Sequence, residues 1–250
     1  MIAALGAGPR HGEQTLATPG HCAGPLSVGG GRLRRMSRRF TGWPENAFDV
    51  LLRLDGDPPQ SVRKALSKDR ERLVREPMVA LLQDVADADP AYEDFSVWGY
   101  GKMIWWWQHQ CAAIRLGRSL ELGMKFDLDG LEVQGAWWYA GSDQIARYRA
   151  AVADATAGSD LAKVLDVLVV RGFEIRGDTM KRGPRGYPAD HPRADLLRRR
   201  SVVAVRPLGC DDWLHTPAAV DRVLEAYADL RPMTEWFTHH VVAEPETAPR

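Results

Sequence analysis

The chain has 250 residues, 45% of them hydrophobic and 26% charged, enough apolar material for one domain with a sizeable core. Lys plus Arg and Asp plus Glu cancel at 33 each, which argues against a nucleic-acid partner because such binding normally leaves a basic excess. Cys22, Cys111 and Cys210 are widely spaced with no CxxC pair, and the longest apolar runs fall far below the roughly 20 residues that cross a bilayer. A disulfide framework and a membrane partner are therefore not expected, and a reducing, cytoplasmic setting is. The opening MIAALGAGPRHG has no basic start and only a short apolar run, so no secretory signal is expected either.

Residues 1–35 hold eight glycines, no Phe, Tyr or Trp, and end in GGGRLRR. Such a stretch buries too little apolar area to offset its ordering entropy, so disorder is predicted. The first aromatic residue and the first helix signal follow Met36. This contrast predicts Met36 as the true start and the preceding residues as an upstream translation artefact. The functional alternative is a basic arm for nucleic acid, and four arginines among glycines make a weak one. One globular domain is expected over 36–242, with a frayed tail at 243–250.

Trp43-Pro44-Glu45 opens a helical pattern whose apolar stripe is Ala47, Phe48, Leu51, Leu52 and Leu54, ended by the DGDPP turn at 55–59. A highly charged second helix is predicted from about Ser61 to Arg75. Pro77 opens a third, which stops near Asp89-Pro90. CAAIRL (111–116) reads as a strand. Leu120, Leu122, Met124 and Phe126 then alternate with Glu121, Gly123 and Lys125, and after the turn DLDG the alternation resumes at Leu131, Val133, Gly135 and Trp137. That pattern predicts a β-hairpin. Ser142 and Ser159 read as N-caps of helices over about 143–155 and 160–171, with Gly172 as a stop. Short strands follow at 173–176 and 201–206, and Thr216-Pro217 opens a last helix to about Leu230. Helices, a hairpin and further helices predict an α+β fold, an antiparallel sheet with a central hairpin packed against N-terminal and C-terminal helices.

Three stretches carry a family resemblance. They are FTGWPENAFDVLLRL (40–54), GLEVQGAWWYAGSDQIARYRAAV (130–152) and MKRGPRGYPADHPRADLLRRRS (180–201). Together they resemble the bacterial family catalogued as domain of unknown function 2461, and the third, with its fixed glycines, prolines, Asp and His, is the most specific. The resemblance implies a shared fold and no particular activity. Members of that family typically carry a charged Arg-Asp-x-Arg-Phe-x-Lys-Asp-Lys-type motif ahead of the hairpin. Here VWGYGKMIWWWQHQCAAIRLGRSL (97–120) stands in its place, with aromatic and apolar residues replacing charges.

Two constellations offer chemistry. In KRGPRGYPADHP, Lys181, Arg182, Arg185 and His191 form a candidate anion site, with a helix expected to begin at Pro192 and to add free backbone N–H groups. Residues 176–206 hold nine Lys or Arg against three Asp, a local excess in a neutral chain. The bland alternative pairs the loop arginines with internal carboxylates, makes Asp190 a plain cap and leaves His191 structural. The second constellation is an aromatic wall of Trp105, Trp107 and Trp137, suited to stacking on a ring, against the alternative that these indoles build the core.

His109-Gln110-Cys111 and the Cys210–His215 stretch lack zinc spacing, and Gly99-Tyr100-Gly101-Lys102 lacks the spacing of a phosphate-binding loop, so no metal and no cofactor is expected. The leading expectation is a domain binding a small anionic or aromatic ligand. An enzyme using His191 as acid/base and a protein-interaction module with a Trp-rich face are the alternatives, the protein partner being unspecified.

Overall fold

The structure, a computed structural model, describes residues 40–99 and 107–242. The expectations for residues 1–35 and the Met36 start, for Trp105, and for the tail at 243–250 lie outside the described residues. All described residues fall in one unit that begins at Met36.

Among the described residues six strands form one antiparallel sheet: β1 (Phe95–Val97), β2 (Gln110–Gly117), β3 (Leu120–Asp127), β4 (Gly130–Trp137), β5 (Glu174–Arg176) and β6 (Val202–Gly209), in the order β1-β2-β3-β4-β6-β5. The predicted hairpin is its centre, in register from Leu120 opposite Trp137 to Asp127 opposite Gly130. Period-two alternation sends Leu120, Leu122, Met124, Phe126, Leu131, Val133 and Trp137 into the main core. The opposite face carries a smaller apolar cluster, Ala136, Val203 and Val205, with Trp138 packed on it. The fold is α+β.

Helices α1 (Asn46–Arg53), α2 (Gln60–Arg70) and α3 (Glu76–Ala88) precede the sheet. The second and third are not separate as predicted. A π-helical turn, Glu71–Arg75, joins them into one rod. Pro77 has no N–H to donate and its ring crowds the carbonyl four residues back, so a widened turn relieves both problems. Within that turn the Val74 carbonyl accepts the buried Trp43 indole N–H at 3.1 Å. Trp43 also stacks on Phe126 of β3, with ring centroids 4.5 Å apart, which ties the N-terminal helices to the sheet.

After β4 come α4 (Ser142–Ala153) and α5 (Ala155–Val170), then a four-residue α6 (Ala194–Leu197) and the long α7 (Ala218–Phe237). α5 starts earlier than the Ser159 cap predicts, because Asp154 takes the Thr156 and Ala157 N–H groups at 2.9 and 2.8 Å. α7 runs past Leu230 and through Pro232. Burial of Met233, Trp236 and Phe237 on the core side of its last turns outweighs the roughly 3 kcal/mol that an internal proline costs.

Candidate functional site

The loop linking β5 to β6 is built as a closed omega-shaped excursion. Thr179 bridges Arg199, the Met180 N–H donates to the Arg198 carbonyl at 2.8 Å, and the Arg200 N–H donates to the Asp178 carbonyl at 2.8 Å. Ser201 Oγ accepts the Asp178 N–H at 2.7 Å. Inside the excursion Pro184 is buried and Tyr187 packs against the main core, so the tip is anchored as well as the base.

The arginines of this loop divide into two groups. Arg193 donates to the carbonyls of Val152, Ala153 and Asp154 at 2.7, 3.1 and 2.9 Å, closing the C-terminal end of α4. Gly158 makes room for it, since a Cβ there would lie 2.5 Å from Arg193 Nε and 2.1 Å from the Val152 oxygen. Arg198 pairs with Asp195 at 2.7 Å, Arg199 donates to the Arg176 carbonyl at 3.1 Å, and Arg200 pairs with Asp178. These four are committed to holding the loop. Lys181, Arg182 and Arg185 are exposed, and none has an ion pair or side-chain hydrogen bond to a described residue. Among the described residues Arg149 reaches the Met180 sulfur, at 3.0 Å, a weak acceptor for a cation.

His191 departs from its expected setting. No helix begins at Pro192; α6 starts at Ala194 and is a single turn. The Arg193 N–H goes to His191 Nδ1 at 3.1 Å and the Ala194 N–H to the His191 carbonyl at 2.8 Å. The backbone donors expected to face a ligand are consumed locally. An accepting Nδ1 puts the ring proton on Nε2. Asp190 makes no hydrogen bond to the ring.

The expected aromatic wall loses Trp137. Trp137 has 0% exposure and lies between Tyr148 and Phe237, with centroids 4.7 and 5.1 Å away. It is core, because its place in the hairpin alternation turns it inward. Trp107 is half-buried against the same core, and its carbonyl accepts Arg70 Nε at 3.0 Å. Arg70 itself is buried and also donates to the His109 carbonyl and to Gln110 Oε1.

Nearby, burial first and the Lys125 charge second hold the His109 ring below its usual range. Burial pushes the Cys111 thiol up to about 12, so it is a neutral thiol and a poor nucleophile. Among the described residues no group of three His, Cys, Asp or Glu side chains is arranged to hold a metal. No described helix is long and apolar enough to cross a membrane.

A cleft of about 490 Å³ opens at the other end of β6, between Arg206–Leu208, the turn at Asp211–Trp213 and one face of α7. No sequence motif marks it. Its α7 residues look like an ordinary solvated helix face, and only the fold brings Trp213 against them.

An α+β domain with one antiparallel sheet and a braced cationic loop is the class these features define. Residues 108–236 match the family described as Conserved hypothetical protein (DUF2461), and the chain belongs to that family. The match takes in the hairpin, the cationic loop and nearly all of α7, while FTGWPENAFDVLLRL lies outside it. No curated protein and no solved structure matches the chain.

Proposed function

We propose that this protein is a binding domain for a small anionic ligand, a phosphorylated or carboxylated metabolite, taken by the loop between β5 and β6. One observation carries the reading: four arginines of the loop are spent on bracing it, while Lys181, Arg182 and Arg185 have no partner among the described residues. A rigid loop with uncommitted cations loses little entropy on binding an anion, and guanidinium groups match phosphate and carboxylate bidentately. His191 adds its Nε2–H as a neutral donor. Trp137, buried in the core, drops out of the expected aromatic part. Cys111 and Cys210 are free thiols, which fits a reducing setting, and the cytoplasm is the compartment we assign.

A thermal-shift screen of phosphorylated, carboxylated and nucleotide metabolites tests this. A ligand at 100 times its dissociation constant adds about 2.7 kcal/mol of stability. Arg185→Ala is expected to fold normally and to abolish the shift given by the best ligand. A full shift in that variant, or no ligand across the panel, rejects the proposal.

A further inference from the structure

The cleft beside α7 has a charge arrangement unlike that of the loop. Arg222, Glu225 and Asp229 follow at i, i+3 and i+7, so they line one face of the helix. At the inner end Asp229 is already claimed, by Arg206 at 2.9 Å and by Arg171. Arg206 is fixed further by lying over the Phe173 ring at 4.5 Å. At that end two guanidinium groups share one carboxylate, and the cluster is held in place.

The outer part is unclaimed. Arg222, Glu225 and Asp211 line it, and none has an ion pair or side-chain hydrogen bond to a described residue. Arg222 and Glu225 stand about 4.5 Å apart along the helix axis, yet they do not pair. Trp213 and Leu208, both half-buried, supply the apolar part of the wall.

A purely anionic ligand would meet two carboxylates here, and a purely cationic one would meet Arg222. A zwitterion satisfies both signs. In an α-amino acid the carboxylate and the ammonium sit on one carbon, with charge centres about 3 Å apart, so one ligand presents both signs to an arginine and a carboxylate one helical turn apart. The volume of about 490 Å³ lies within the range of small-molecule sites. The geometry points to a site for a free α-amino acid with an apolar side chain. Its carboxylate lies on Arg222, its ammonium on Glu225 and Asp211, and its side chain on Trp213 and Leu208. This site is separate from the anion loop, because β6 runs away from that loop for about 15 Å before reaching the cleft.

Ligand-observed NMR titration of the full chain with leucine, methionine, phenylalanine and tryptophan is the test, in a buffer free of amines and carboxylates. At least one is expected to bind saturably below about 10 mM. Its N-acetyl and carboxamide derivatives, each lacking one charge, are expected to bind at least about tenfold more weakly. Arg222→Ala and Glu225→Ala should each weaken the amino acid by a similar factor, with circular dichroism and melting unchanged since both side chains are exposed. Arg185→Ala should leave it unaffected, which separates this site from the loop. Absence of saturable binding, equal binding of the capped derivatives, or indifference to both α7 substitutions overturns the inference.

Discussion

Glu121 stands on the face of β3 opposite the main core, directly across from Arg115 of β2. Burial raises its pKa, and a hydrogen bond to Trp138 and then the Arg115 charge only partly oppose this. The folded state therefore favours the protonated acid more than the unfolded chain does. Its stabilising contribution is complete below the unfolded value, near 4.5, and is lost as pH rises through the higher folded value. At neutral pH the wild type holds a partly desolvated carboxylate. Glu121→Gln removes that charge with little change of shape, and is expected to raise the melting midpoint at pH 7 by about 2–4 °C. The gain should shrink as pH falls and vanish near pH 4, which calorimetry across that range would show. A gain independent of pH would mean that packing, not charge, is responsible.

The junction of α4, α5 and the cationic loop shows how one element depends on another. Arg193 closes α4, Gly158 in α5 clears its path, and Asp154 caps α5 between them. Arg193→Ala should cost about 2 kcal/mol by denaturant titration, the scale of charge-assisted hydrogen bonds lost at a helix end. Gly158→Ala should cost at least as much, because its methyl meets the Val152 carbonyl oxygen at 2.1 Å and its carbon at 2.8 Å as well as the same guanidinium. In the double variant the guanidinium contacts are lost only once while the backbone clash persists, so its cost should exceed that of Arg193→Ala and fall short of the sum; fully additive losses would show that the methyl leaves Arg193 in place.

This junction is also where the sequence was least legible. Asp154 and Ser159 are both good capping residues, and a tertiary contact from Arg193, some 40 residues away, accompanies the choice of the first. The hairpin and β2 could be read directly, since a strand's alternation is local. The same alternation already turned Trp137 inward, beside Leu131 and Val133, against its assignment to an exposed wall. α7 outran its predicted end because Trp236 and Phe237 are drawn into a core that local sequence does not describe. In the loop, the surplus of positive charge was visible. Which arginines are free and which are structural depends on carbonyls of α4 and β5 that no spacing rule locates.

Across the whole fold, the two described cysteines report different events. Cys210 is exposed just beyond β6, whereas Cys111 is part-buried in β2, between β1 and β3 near one side of the sheet. With its pKa pushed up to about 12, the Cys111 thiol at pH 7 has about a thousandfold less thiolate than an ordinary thiol near 9. Its reaction with an alkylating reagent should then require that β2 leave the sheet. β2 is held by β3 over almost its full length and by the Arg70–Gln110 hydrogen bond at its start, so that opening should approach global unfolding. Iodoacetamide labelling with peptide mapping should find Cys210 modified at once and Cys111 at least about a thousandfold more slowly in native buffer. The Cys111 rate should climb with urea along the same slope as the unfolding equilibrium, since both then expose the same surface. Rapid labelling of Cys111 without denaturant, or a rate indifferent to urea, would instead show that the β1–β2 side of the sheet opens on its own while the rest of the domain stays folded.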